Sequence, residues 1–146
     1  FRGDWFLSGD MARKDPETGI YFFTDRKKDA VRFAGRNIST LEVESVARRH
    51  PEVADVAAFG IPSKEIDSED ELKLNVIRAA GSDLSAEQIC QFINDSAPYF
   101  FVPRYLDFVE ELPYTPTQKV QKFELRKRGN SDSTWDLQAS DFKVKR

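Results

Sequence analysis

At 146 residues the chain has room for one compact domain and little beyond it. Its 40% apolar and 12% aromatic content suffices for a core, and its 22 basic against 25 acidic residues lack the basic excess of a nucleic-acid or anionic-membrane surface. A single cysteine, Cys90, excludes an internal disulfide and suits a reducing cytosol, and no apolar run reaches the length of a membrane span.

The opening Phe1-Arg2-Gly3-Asp4-Trp5-Phe6 carries neither an initiator Met nor a signal-peptide pattern, so it reads as an internal cut. Asp15-Pro16-Glu17-Thr18-Gly19 predicts a turn, and Ile20 to Phe23 a strand after it, which makes a hairpin. Ala30 to Ala34 reads as the next strand, and Gly35-Arg36-Asn37 as the turn that follows. Ser39-Thr40-Leu41-Glu42 fits a capping box opening a helix with Val43, Val46 and Ala47 on its apolar face and Pro51 past its end.

Two longer strands are predicted at Val53 to Gly60 and Leu72 to Ala79. In the second, Leu72, Leu74 and Val76 alternate with Lys73 and Asn75, which implies one buried face. The charged run from Lys64 to Glu71 between them reads as a solvated loop. Ser85 to Gln88 forms another capping box, with Ile89, Phe92 and Ile93 facing the core and Cys90 offset as an inert thiol. Leu106 to Val109 is a short strand, Leu112 to Val120 a loop rich in Pro and Thr, and Phe123 to Arg128 a short basic helix. From Gly129 the chain reads as a loose polar tail. Strands and helices are interspersed, so the fold class is α+β, a small mixed sheet flanked by helices.

Familiar catalytic sets are missing. His50, the sole histidine, precedes Pro51 at a helix end and suits a structural role there, pairing with free carbonyls and the helix dipole. One His and one Cys make no zinc site, and neither a Walker loop nor a dinucleotide fingerprint is present. What stands out is Pro113-Tyr114-Thr115-Pro116-Thr117-Gln118-Lys119-Val120, a stiff, hydroxyl-lined loop ending in a lysine. Lysine is a compact cation suited to phosphate and carboxylate oxygens, although on spacing alone an ordinary surface lysine after a turn is the better fit.

Several separated pieces carry a resemblance. Trp5-Phe6-Leu7-Ser8-Gly9-Asp10 is similar to the aromatic strand ending in Thr/Ser-Gly-Asp of the adenylate-forming enzymes. Asp25-Arg26-Lys27-Lys28-Asp29 with Gly35 resembles their Gly-Arg-x-x-Asp stretch and glycine hairpin. Ser39 to Glu44 followed by His50-Pro51-Glu52-Val53 matches the next helix, and Leu112-Pro113 through Lys119 resembles the terminal Leu-Pro-x-Thr-x-x-Gly-Lys motif. The chain thus resembles the C-terminal part of an acyl-CoA synthetase, in wording nearest the crotonobetaine/carnitine-CoA ligase-like branch.

The resemblance implies an AMP-forming ligase that joins a carboxylic acid to CoA using ATP and Mg²⁺, in the cytoplasm, with a large N-terminal domain as partner. It implies that residues 1–27 close that large domain, that 28–128 form a mobile domain swinging between two half-reactions, and that 129–146 form the tail. Asp10 would hold the ribose hydroxyls of ATP and Arg26 the same ribose or its phosphate. Lys28 would be the hinge, Gly35 would lie against the pantetheine arm, and Lys119 would be the adenylation lysine. Asp10 and Arg26 could instead be a structural pair at the hairpin mouth, and Gly35 a plain turn. The sequence departs from the family at Gln118, where glycine usually precedes the lysine, and at Asp25, where glycine usually precedes Arg26. Transfer to a carrier-protein thiol or to oxygen, and a non-catalytic binding or regulatory module that kept the fold, are the rival readings, and the chain by itself is expected to be catalytically silent.

Overall fold

A computed structural model describes residues 6–146, so Trp5 and the other aromatic at the very start lie outside the described residues. The first hairpin pairs β1 (Asp10–Lys14) with β2 (Tyr21–Arg26). Its turn is built by Asp15, whose carboxylate accepts the amides of Glu17 and Thr18 at 2.8 and 3.0 Å, while Gly19 supplies the left-handed residue at φ +72°.

A second, smaller hairpin follows, β3 (Val31–Phe33) with β4 (Arg36–Ile38). Arg36 and Asn37 are therefore strand residues rather than part of the turn. Only Ala34 and Gly35 turn the chain, both at positive φ (48° and 73°), as in the two-residue turns whose twist matches paired strands. Helix α1 (Thr40–Ala47) starts where expected, with the Ser39 hydroxyl accepting the Glu42 amide at 3.4 Å. Helix α2 (Ala86–Ser96) has the closed form of the box, in which Gln88 also accepts the Ser85 amide at 2.8 Å.

The main sheet runs in the order β5 (Val53–Pro62), β6 (Asp70–Arg78), β7 (Tyr105–Phe108) and β8 (Trp135–Asp136). Strands β6 and β7 are parallel and the other pairs antiparallel, so the sheet is mixed, in keeping with an α+β fold. Both faces are covered. Val56, Ala58, Leu74 and Val76 point into the cluster containing Val43, Ala47, Ile89 and Ile93. Ala57, Phe59, Ile61 and Tyr105 point the other way, onto Leu112 of the following loop and onto Leu125 of the short helix α3 (Lys122–Arg128).

That second cover corrects the expectation of a solvated face on β6. Lys73 is only 1% exposed. Its ammonium meets Asp107 at 2.7 Å, the Gly129 carbonyl at 2.6 Å and Asn130 Oδ1 at 3.0 Å, so a buried charge finds one ion partner and two acceptors. The segment from Gly129, read from composition as loose, is thus tied down. It adds β8 to the sheet edge, joins Arg104 to Asp136 at 2.6 Å, and returns to α2 through Lys145 and Asn94 at 2.7 Å. Cys90 is not offset but buried in the core, which pushes its thiol far above the usual range and keeps it inert. His50 is structural, though not by donating to carbonyls. Its Nδ1 accepts the Glu52 amide at 3.2 Å and its ring stands edge-on to Phe92.

Candidate active site

The loop that carries Lys119 is a tight hairpin anchored at both ends. Leu112 and Val120 pack with Leu125 beneath the sheet, Tyr114 bridges Val120, and Gln121 donates its amide to the Pro113 carbonyl at 2.7 Å. At the tip, Pro116 and Thr117 form a turn closed by the Gln118 amide on the Thr115 carbonyl at 2.9 Å. Gln118 then takes φ +63°, the left-handed residue that converts such a turn into a bulged hairpin. That conformation is why glycine belongs before the lysine. The Gln118 side chain is exposed, as a Cβ at that point requires.

Lys119 itself donates its amide to the Thr115 hydroxyl at 3.1 Å, its carbonyl accepts the Thr115 amide at 2.8 Å, and its side chain is exposed. Beneath it, the Tyr114 hydroxyl donates to Asp55. This bond to a carboxylate, together with burial, holds the Tyr114 phenol up at about 12. Burial opposes ionisation of Asp55, but bonds from Tyr114, the Val56 amide and Arg48 outweigh it and keep that carboxyl below its usual range. The loop stem is therefore rigid while the lysine at its end projects into solvent.

Asp10 and Arg26 are directly opposed across β1 and β2, with Nε to Oδ1 at 3.5 Å, and both side chains are largely exposed. Lys28 sits exposed in the turn closed by the Asp29 and Ala30 amides on the Arg26 carbonyl at 2.9 and 3.0 Å. Among the described residues, no hydrogen bond or ion pair joins Lys119 or Gly35 to the Asp10–Arg26 pair. The structure thus brings two of the five candidates together and leaves the other three on separate exposed turns.

Sequence reasoning missed what holds these turns. Asp25 is only 2% exposed. Its carboxylate accepts the Thr40 amide at 2.7 Å, the Thr40 hydroxyl at 2.8 Å and the Arg26 amide at 2.7 Å, so it ties the first hairpin to the start of α1. Thr40 accepts in turn from Lys122 at 2.8 Å, and Lys122 pairs with the buried Glu44 at 2.8 Å. Glu44 also takes the Ala58 amide at 2.9 Å. This network runs from the hairpin through α1 to the helix just past the Lys119 loop. Its sequence signal is weak, because a Glu on an amphipathic helix ordinarily reads as surface.

Likenesses of three kinds bear on this arrangement. The model of the family described as the AMP-binding enzyme C-terminal domain matches residues 42–119, more than half of the chain. The chain belongs to this family. The matched span ends on Lys119, just past the tip of the bulged hairpin. A 3-methylmercaptopropionyl-CoA ligase of Ruegeria lacuscaerulensis is 35% identical over 122 residues, covering 84% of this chain and 22% of that protein. A crotonobetaine/carnitine-CoA ligase of Salmonella arizonae is 32% identical over 122 residues, covering 84% and 23%. The solved anthranilate CoA ligase in complex with anthranoyl-AMP superposes with a TM-score of 0.75 at 31% identity, covering 88% of this chain and 25% of that one. The chain therefore spans about a quarter of the length of these CoA ligases. The acids in their names differ at near-equal identity, so the likeness singles out no one acid.

For a C-terminal domain of this family, Gln118 is a correctable strain. A residue with a Cβ in the left-handed region costs about 1 kcal/mol, and glycine avoids it. Gln118→Gly is expected to raise stability by roughly 1 kcal/mol, a Tm gain of about 3 °C, measured by thermal unfolding. A fall in Tm would show that the Gln118 side chain contributes contacts that outweigh the strain.

Proposed function

We propose that this chain is the C-terminal part of an AMP-forming acyl-CoA ligase and that it supplies the lysine for the first half-reaction and a glycine turn for the second. The observation that carries the reading is the rigid bulged hairpin presenting Lys119 to solvent, at the end of the span that matches the family. In the first step a carboxylate oxygen bonds to the α-phosphorus of ATP while the bond to the β-bridging oxygen breaks and pyrophosphate leaves. In the second, the CoA thiol loses its proton and bonds to the acyl carbon, and AMP departs with its oxygen.

Residue chemistry supports a role for each candidate. Asp10 can accept both ribose hydroxyls, and Arg26 offers a fork of donors to ribose or phosphate oxygens. Lys28 lies in an exposed turn, where backbone angles can change without opening the core. No Cβ projects from the exposed Gly35, so a slender thiol arm can approach its backbone. Mg²⁺ would arrive on the ATP phosphates, which with water are the usual ligands of this small, hard cation. The reading carries with it a cytoplasmic enzyme, and no helix among the described residues is long and apolar enough to cross a membrane.

A large N-terminal domain is the natural cover for the first hairpin. Tyr21, Phe22 and Phe23 are 68%, 47% and 56% exposed, a run of aromatic surface that a free-standing domain rarely leaves open. We divide the chain accordingly, with residues 1–27 on the large domain and 28–128 on the mobile one. The Asp25–Thr40 bonds cross that boundary, so a swing about Lys28 would have to exchange them.

The test of the reading is carboxylate-dependent pyrophosphate exchange by the full-length enzyme, followed by a comparison of free CoA with a carrier-protein thiol as acceptor. Exchange with transfer to CoA fits the ligase, and transfer to the carrier alone would reassign the acceptor. Lys28→Pro is expected to slow thioester formation at least tenfold more than adenylation, because proline fixes φ and opposes the swing. Equal losses in both half-reactions would remove Lys28 as the hinge.

A further inference from the structure

The turn at Ala34 and Gly35 is held from outside its own hairpin. The Glu69 carboxylate accepts both of its successive amides, Ala34 at 2.8 Å on Oε2 and Gly35 at 3.0 Å on Oε1. Asp70, next in sequence, accepts the Arg32 amide at 3.2 Å. Two adjacent amides pointing the same way form a small anion-binding concavity, and a bidentate carboxylate fills it with charge-assisted bonds. Composition suggested that this acidic stretch is merely solvated; the structure uses it as a clasp.

The clasp is itself braced. Strands β5 and β6 pair as far as Pro62 and Asp70, so the loop between them is short and closed by the Ser63 amide on the Glu69 carbonyl at 2.9 Å. The Ser63 hydroxyl accepts the Glu65 and Ile66 amides at 3.2 and 3.3 Å and donates to Glu71 at 3.0 Å. Gly60 makes room on the neighbouring strand, since a Cβ there would come within 3.1 Å of the Asp70 side chain. By contrast the clasped hairpin has little of its own to fix it. It has three residue pairs, its base is buried through Val31 and Ile38, and Ala34 to Asn37 are exposed. An isolated two-stranded ribbon of that length is marginal in water.

We infer that Glu69 is a positioning residue for the thioester-forming step: its carboxylate, gripping the amides of Ala34 and Gly35, fixes the turn that meets the pantetheine arm of CoA. The role rests on the proposed ligase function. Because no hydrogen bond or ion pair among the described residues joins Glu69 to the Lys119 hairpin, its loss should act on one half-reaction and spare the other.

In the full-length enzyme, Glu69→Ala is expected to leave pyrophosphate exchange within about twofold. Conversion of a supplied acyl-adenylate to acyl-CoA should fall about tenfold or more, with a higher KM for CoA. Glu69→Gln should fall between, since its single oxygen can serve one amide well but not both. A thioester step within twofold of wild type in Glu69→Ala, or equal losses in both half-reactions, overturns the role. Amide hydrogen exchange provides a readout that does not depend on activity. Exchange at Ala34 and Gly35 should accelerate at least tenfold in Glu69→Ala, and unchanged protection would mean Glu69 does not hold the turn. Wild-type enzyme that exchanges pyrophosphate with no carboxylate would overturn the ligase reading itself, a failure distinct from unchanged amide protection.

Discussion

Lys119→Ala in the full-length enzyme is expected to lower carboxylate-dependent pyrophosphate exchange by two to three powers of ten while leaving the conversion of acyl-adenylate to acyl-CoA near normal. Attack at the α-phosphorus spreads negative charge over the reacting oxygens, and a preset cation stabilises that charge more than it stabilises bound ATP. Loss of one such group typically costs about 3–4 kcal/mol, which is the quoted rate factor. The hairpin suits this role because its stiffness comes from its own backbone bonds and from Tyr114 on Asp55, leaving the ammonium free of structural duty. A swing of the domain would then carry the lysine away from the acyl carbon. Exchange persisting within a few-fold of wild type, or collapse of both half-reactions together, would remove Lys119 from the first step.

Glu44→Ala should have the largest effect on folding. Glu44 and Lys122 are 5% and 12% exposed as side chains, and Glu44 also accepts the Ala58 amide. Removing one member of a buried pair strands the other charge, which typically costs about 3–5 kcal/mol. For a domain of this size that corresponds to a Tm loss of about 10 °C. The paired change Glu44→Leu with Lys122→Met removes both charges and should recover a good part of the loss, read by thermal unfolding. A double variant as unstable as the single would show that the Ala58 and Thr40 bonds, rather than the stranded ammonium, dominate.

Local chemistry was legible in the sequence. The Asp15–Gly19 turn, the caps at Ser39 and Ser85 and the two long strands follow from residues that act within four or five positions of each other. The lysine loop was legible only in part, because Pro113 and Pro116 mark turns whereas Gln118 gives no local sign of the left-handed conformation that it adopts. What could not be read depends on partners far away in the chain. Lys73 looks like a surface residue until Gly129 and Asn130 arrive 56 and 57 residues later to receive it. Asp25 and Glu69 look like solvent-facing acids until α1 and the β3–β4 turn present amides to them. Polar residues that end up buried announce nothing by themselves, since their burial is permitted only by groups that other segments bring.

An AMP-forming ligase of carboxylic acids and CoA has a definite product balance. The most direct measurement supplies the full-length enzyme with ATP, Mg²⁺, CoA and a panel of carboxylates and quantifies both nucleotide and thioester products. AMP, pyrophosphate and acyl-CoA in equal amounts, dependent on both the acid and CoA, are the predicted result. ADP and phosphate as the nucleotide products, or no acid-dependent ATP turnover by folded enzyme, would contradict it.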